Sequence, residues 1–287
     1  MHKATLSVAA IATCLAATAL TGPAHAVTPA SFAVTFDTTS ASGWLHTTLS
    51  GSATGSVVPS TSSIPRTSWT GGSAFIPADV LAVPGVSSSD TKVGQFPAHT
   101  GTGVASPVAY AVVPATPAPN DVLAPGEQPF TFGADVKLDT GTTATNGTND
   151  NGNNVVQRGL SGADQYKIQV DSAQVSCMTR SAGTIINNAL ADITAGTWQR
   201  IRCTRTPLAG GGEQLDLVVS APDGTVLDTD TKTNLAARAV LDFSTAKVGT
   251  PIPFTVGAKV GNKTPLTVEA ASDQFNGRID NVYLDID

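Results

Sequence analysis

The chain has 287 residues, of which 13% are charged, with 22 acidic against 16 basic side chains and a net charge of −6. That length fits one large all-β domain or two small ones. The acidic balance excludes the concentrated basic face that nucleic acid requires; only Arg200, Arg202 and Arg205 cluster, at a strand-like spacing expected of a solvated sheet face.

Met1-His2-Lys3 gives a short basic start, Ala4 to Leu20 is almost wholly apolar or small, and Ala24-His25-Ala26 supplies a small-x-small cleavage pattern. Residues 1–26 therefore read as a signal peptide, too short in its apolar run to span a bilayer. Lipidation at Cys14 is the rival, disfavoured by Thr13 before it and by its place inside the apolar run. The expected product, residues 27–287, is a secreted, soluble, monomeric domain with no membrane span.

Phe32 to Phe36 reads as an opening strand, followed by Asp37. Residues 50–107 are rich in Ser, Thr, Gly and Pro, yet apolar residues persist (Trp69, Phe75, Val80, Phe96), which favours an irregular, packed part of the same domain over a linker. From Phe130 the pattern is plain. FTFGADVKL alternates apolar and polar or small residues with period two, the mark of a half-buried strand. Further strands are predicted at 155–158, 165–170, 174–179, 197–205, 215–220, 225–230, 254–260 and at the C-terminal end. Turn residues separate them, most clearly Pro222-Asp223-Gly224, and no window reads as an amphipathic helix. Once the leader is removed, Cys177 and Cys203 form an even pair in an oxidising compartment, so a disulfide is expected, worth roughly 3–4 kcal/mol on the chain-entropy model.

The order FTFGADVKLD, NNVVQRGL, QYKIQVD, GTWQRIRCTR and FNGRIDNVYL resembles the laminin G-like, concanavalin A-type jelly roll of secreted actinobacterial proteins, over roughly residues 108–287. The resemblance implies an all-β fold of two stacked antiparallel sheets, a history of carbohydrate or protein binding, and in some members calcium. It also implies that Trp198 packs in the interior and that Asp280, in the IDN motif, is a ligand or a loop-fixing residue. Asp37 could meet Asp280, because first and last strands of such sandwiches tend to be neighbours; hard oxygen ligands suit calcium. Structural hydrogen bonding by Asp280 is the alternative.

Catalytic constellations are weak. The fold's β-glucan hydrolases use paired carboxylates, but Glu127, Glu213 and Glu269 stand isolated in turn-like contexts. Asp228 and Asp230 share a strand face, and a solvated polar face is the expectation there. His46 and His99 have no G-x-S-x-G turn to partner them. A lyase site built from Tyr166, Gln157 and Arg158 is conceivable, although strand tyrosines usually pack. For sugar stacking, Trp44 and Trp69 lie in polar, loop-like sequence and are the candidates. The expected function is a secreted, non-catalytic recognition module for carbohydrate or a cell-surface partner. The alternatives are a polysaccharide-active enzyme with an atypical site and a passive structural protein of the envelope.

Overall fold

A computed structural model describes residues 120–139, 153–243, 252–259 and 273–287, together with strands at 30–34, 38–39, 45–46, 49–50, 55–59, 69–70, 92–96 and 110–114. The early strands are β1 (Ala30–Val34), β2 (Thr38–Thr39), β3 (Leu45–His46), β4 (Leu49–Ser50), β5 (Gly55–Pro59), β6 (Trp69–Thr70), β7 (Lys92–Phe96) and β8 (Tyr110–Pro114). They are followed by β9 (Phe130–Leu138), β10 (Asn153–Gly159), β11 (Gln165–Asp171), β12 (Gln174–Ser181) and β13 (Thr184–Asp192). The last are β14 (Gln199–Pro207), β15 (Glu213–Ser220), β16 (Val226–Asn234), β17 (Phe254–Val256) and β18 (Gly277–Ile286).

Among the described residues sixteen of these strands form two antiparallel sheets stacked as a jelly-roll sandwich, while β2 and β3 pair separately with each other. One has nine strands, in the order β16-β15-β14-β9-β18-β1-β4 with β7 and β6 added beside β18; the other has seven, β13-β12-β11-β10-β17-β8-β5. The first strand lies against the last, with Ala30 opposite Ile286 and Val34 opposite Val282. The hairpins follow their turn chemistry. Ala182 and Gly183 both take positive φ (46° and 82°) between β12 and β13, the combination a two-residue type I′ turn needs to match strand twist.

The core lies between the sheets. Phe130, Phe132, Ala134, Val136 and Leu138 of β9 are each no more than 2% exposed, and they face Tyr166, Ile168 and Val170 of β11. Tyr166 sits among aromatic rings, with centroids 5.1 Å from Phe130 and 5.0 Å from Phe132. Side chains of this size stabilise by roughly 1.5–3 kcal/mol each when fully buried. Tyr166 and its register partner Arg158 both point inward, fully buried, so the lyase arrangement with Gln157 does not exist: Gln157 is on the opposite face. Burial pushes the Tyr166 hydroxyl above its ordinary range, against the lowering effect of Arg158.

The expected disulfide is formed. Cys177 of β12 and Cys203 of β14 belong to different sheets, so the bond staples the sandwich across its core with a Cα–Cα distance of 6.1 Å. Stacked sheets usually lie about 10 Å apart; here they pinch, and the residue beside Cys177 on β13 is Ala189.

Beyond the staple the two edge strands β13 and β16 run alongside each other and are joined through side chains. The Leu190 and Asp192 amides donate to the carboxylates of Asp230 (2.8 Å) and Asp228 (2.7 Å), and Asn234 Nδ2 donates to the Ile186 carbonyl (3.2 Å). Asp228 and Asp230 are thus not a solvated face: they cap the open backbone edge of the other sheet.

The arginine trio is corrected too. Arg200 and Arg205 are buried, at 7% and 0% exposure, and only Arg202 is exposed. Arg205 faces inward by strand alternation, over the Phe130 ring at 4.9 Å, and donates to the Ala239 carbonyl at 2.7 Å. Glu213 is not in a turn. It opens β15 fully buried, accepts from Thr179 Oγ1, from Asn187 Nδ2 (3.1 Å) and from the Ala239 amide (2.9 Å), and lies 3.7 Å from Arg205. Trp198 precedes β14 and is only partly buried.

Candidate polar face on the seven-stranded sheet

The site begins with the alternation in QYKIQVD. Tyr166, Ile168 and Val170 go to the core, so Gln165, Lys167, Gln169 and Asp171 go to the outer face. Register then builds rows across the sheet, because directly opposed residues share a face. The central row runs Asn188, Met178, Lys167, Gln157, Thr255. On one side of it Gln165 opposes Arg180; on the other Gln169 opposes Asn154. Along β11 successive outward positions are about 7 Å apart, two residues of strand rise.

Part of this face is internally satisfied. Thr255 Oγ1 donates to the Gln157 carbonyl (3.1 Å), Ser176 Oγ donates to Asn188 Oδ1 (2.9 Å), and Gln157 Nε2 donates to the Gly159 carbonyl (2.7 Å). Gly159 ends β10 at φ 83°, where a Cβ would stand 1.9 Å from the Asp164 carbonyl oxygen; no side chain fits the turn that presents this acceptor. Arg180 Nη1 donates to the Ser161 carbonyl at 2.6 Å.

The remainder is not satisfied. Asn154 Nδ2 and Oδ1, Gln169 Oε1, Gln165 Oε1 and Arg180 Nε are buried atoms with no hydrogen-bond partner. They fall into the two register couples just named, Asn154 with Gln169 and Gln165 with Arg180, on either side of Lys167. Asn154 is 1% exposed and Gln165 is 2% exposed. Each such group costs about 1–3 kcal/mol if left unpaired, so this face holds hydrogen-bonding capacity that the fold itself does not use. Lys167, partly buried between the couples, is held near 8 by desolvation, against which Asp273 acts to raise it while Arg180 and Lys259 lower it further.

The residues expected to form a site lie elsewhere. Asp280 is 1% exposed on β18, and its Oδ1 accepts from the Asn281 amide (2.9 Å) at a bulge where Asn281 takes φ 45°. Its register neighbour Asp135 is committed to Arg200 through two bonds (2.7 and 3.0 Å) and to Asn281 Nδ2 (2.8 Å). A cation there would compete with a bidentate guanidinium. Among the described residues no three His, Cys, Asp or Glu side chains group as a metal site. Asp37 and Trp44 lie outside the described residues, as does the Trp69 side chain, whose backbone belongs to β6.

QYKIQVD is legible as a strand. Its polar half is the signal that sequence reasoning passed over, since a Gln-Lys-Gln face gains meaning only when its neighbours are known.

No family model and no curated protein matches this chain. Solved structures of similar fold include the binding domain of Paraclostridial Mosquitocidal Protein 1, with a TM-score of 0.50 and 11% identity over 90% of this chain. Others are a marine alginate lyase from Aplysia kurodai (TM-score 0.38, 9% identity, 78% of this chain and 99% of the lyase) and the LG1-3 region of the laminin alpha2 chain (0.36, 15%, 63% of this chain and 31% of that one). The chain spans 48% of the toxin structure's length. At 11% identity the likeness to the toxin domain is one of fold alone. No helix among the described residues is long and apolar enough to cross a membrane.

Proposed function

We propose that the protein is a secreted, non-catalytic recognition module of laminin G-like type that binds carbohydrate through the outer face of the seven-stranded sheet. The observation that carries this reading is the group of half-buried polar side chains on that face, Lys167 and Gln169 of β11 with Arg180 of β12 and Asn188 of β13. A glycan presents hydroxyls that both donate and accept, so it can meet amide, ammonium and guanidinium groups on one face. Secretion is supported by the leader-like N-terminus and by a disulfide, which persists in oxidising compartments. That a toxin domain of like fold is a binding domain is an analogy of fold alone. Trp44 and Trp69 are proposed as residues that stack on a sugar; β6, which carries Trp69, belongs to the nine-stranded sheet. Calcium at Asp280 would need oxygen ligands from outside the described residues, Asp37 among them.

One observation favours a polysaccharide-active enzyme as the second reading: a lysine near 8 is poised to act as a base. The test is a glycan array followed by titration calorimetry on the full chain. Saturable binding to an oligosaccharide is expected, weakened at least tenfold by Gln165→Ala with Gln169→Ala while the melting temperature holds. Absence of saturable binding across the array overturns the proposal, and release of unsaturated or reducing ends replaces it with the enzymatic reading.

A further inference from the structure

We infer that two copies of this chain join edge to edge through β16, in an antiparallel, two-fold pairing centred on Thr231. The contact is independent of what the protein binds.

The exposed apolar side chains gather at one place. Among the described residues the exposed large hydrophobics are Ile185 and Leu190 of β13, Val226 and Leu227 of β16, and Leu235 and Val240 shortly after it. All six lie on or beside the two edge strands with which the sheets end on this flank. Apolar groups gathered on one side of a protein surface mark a contact.

The two edges differ in state. That of β13 is closed by Asp228, Asp230 and Asn234. On β16 the Thr229 amide donates to the Asp228 carboxylate (2.8 Å) rather than to β15, so the main chain of its odd-numbered residues faces away from the sheet. The carbonyls of Thr229, Thr231 and Thr233 point the same way, and among the described residues they accept no hydrogen bond. All three residues are exposed. An edge in this state is a template for another strand. When the Thr229 amide turns to a second strand, Asp228 keeps its bond to the Asp192 amide through its other oxygen.

Charge selects the partner and the register. Outward groups on odd-numbered residues must meet odd-numbered residues. With Thr231 opposite its own copy, Asp230 faces Lys232 of the second copy and Lys232 faces Asp230 of the second copy. Thr229 then meets Thr233 of the second copy, and Leu227 comes beside Leu235 of the second copy. Each Asp230 already lies 2.9 Å from its own Lys232, so the four groups form a ring of alternating charge. The neighbouring registers set Asp230 on Asp230 or Lys232 on Lys232, and like charges directly opposed destabilise a strand pair. β16 is thus complementary to itself read backwards. An isologous contact of this kind uses both edges and stops at two copies.

The test is sedimentation of the full chain over a wide range of concentration. A monomer–dimer equilibrium is expected, with the Thr231 and Thr233 amides more protected from hydrogen exchange where the dimer predominates. Lys232→Glu sets a carboxylate opposite Asp230 at both symmetric positions. It is expected to weaken the dimer at least tenfold, with an unchanged circular dichroism spectrum. Lys232→Arg keeps the charge and is expected to keep the dimer, while Leu235→Ser, outside the strand, weakens it. A monomer at every concentration overturns the inference. So does a dimer that Lys232→Glu leaves intact, or one whose protection falls on other strands, since its contact is then another surface.

Discussion

Lys167 is the residue where stability and recognition pull in opposite directions. Burial holds it near 8 when folded, below the usual lysine value of about 10.4 in the unfolded chain. Below pH 8 both states carry the charge and the fold bears the whole cost; between 8 and about 10.4 the unfolded chain binds more protons. Stability should therefore rise with pH across that window. Lys167→Met is predicted to be the more stable protein at pH 7 and to show less of that rise, measured by urea unfolding of both proteins at pH 7, 9 and 10. A variant less stable than the parent at pH 7 would refute the cost. Asp135 shows the opposite solution on the other sheet, its carboxylate matched by Arg200 and Asn281.

At the level of elements, the seam between β13 and β16 is the feature that no strand pattern announces. Edge strands offer unpaired backbone groups to other chains. Here Asp228, Asp230 and Asn234 occupy those of β13 at Asp192, Leu190 and Ile186. Burial opposes ionisation of Asp230, but the Leu190 amide and Lys232 outweigh it and hold the carboxyl below its ordinary value. Its contribution is thus present above about pH 4 and lost as the pH falls through the folded value. Asp228→Ala with Asp230→Ala should cost about 1 kcal/mol per bond and expose the edge, giving concentration-dependent association by light scattering. An unchanged melting temperature and a monodisperse variant would show that the seam contributes nothing.

β13 also marks the limit of what alternation conveys. Its inward positions are Asn187, Ala189 and Ala191, while Leu190 is exposed; TIINNALAD therefore has no apolar stripe to detect. The physical reason lies in its neighbours: Asn187 serves buried Glu213, and Ala189 sits where the disulfide draws the sheets together. By contrast β9, β11 and β15 were legible because their inward halves are mostly apolar. The outward half of β11 was legible as polar but not as a site.

For the whole molecule, the Cys177–Cys203 bond ties one sheet to the other rather than closing a hairpin within one. Opening it frees a loop of 26 positions in the unfolded chain. Cys177→Ser with Cys203→Ser should lower stability by about 3 kcal/mol, and the melting temperature by about 6–12 °C for a domain of this size. A loss under about 1 kcal/mol would mean that the apolar core alone holds the sheets in register.

The pairing of first strand with last was implied by the jelly-roll resemblance; by itself the sequence determined the all-β class, most strand positions from β9 onward and the cysteine pair. These follow from local rules: period-two burial, turn chemistry, and the reactivity of thiols in an oxidising compartment. Only the tertiary structure decided which polar residues are buried and which of them lack partners. Arg200 finds Asp135 and Glu213 finds Asn187, while neither side-chain polar atom of Asn154 finds a hydrogen bond, because partnership depends on register between segments far apart in the chain. Alternation divides a strand into two faces; what lies opposite each face is settled only when the sheets come together.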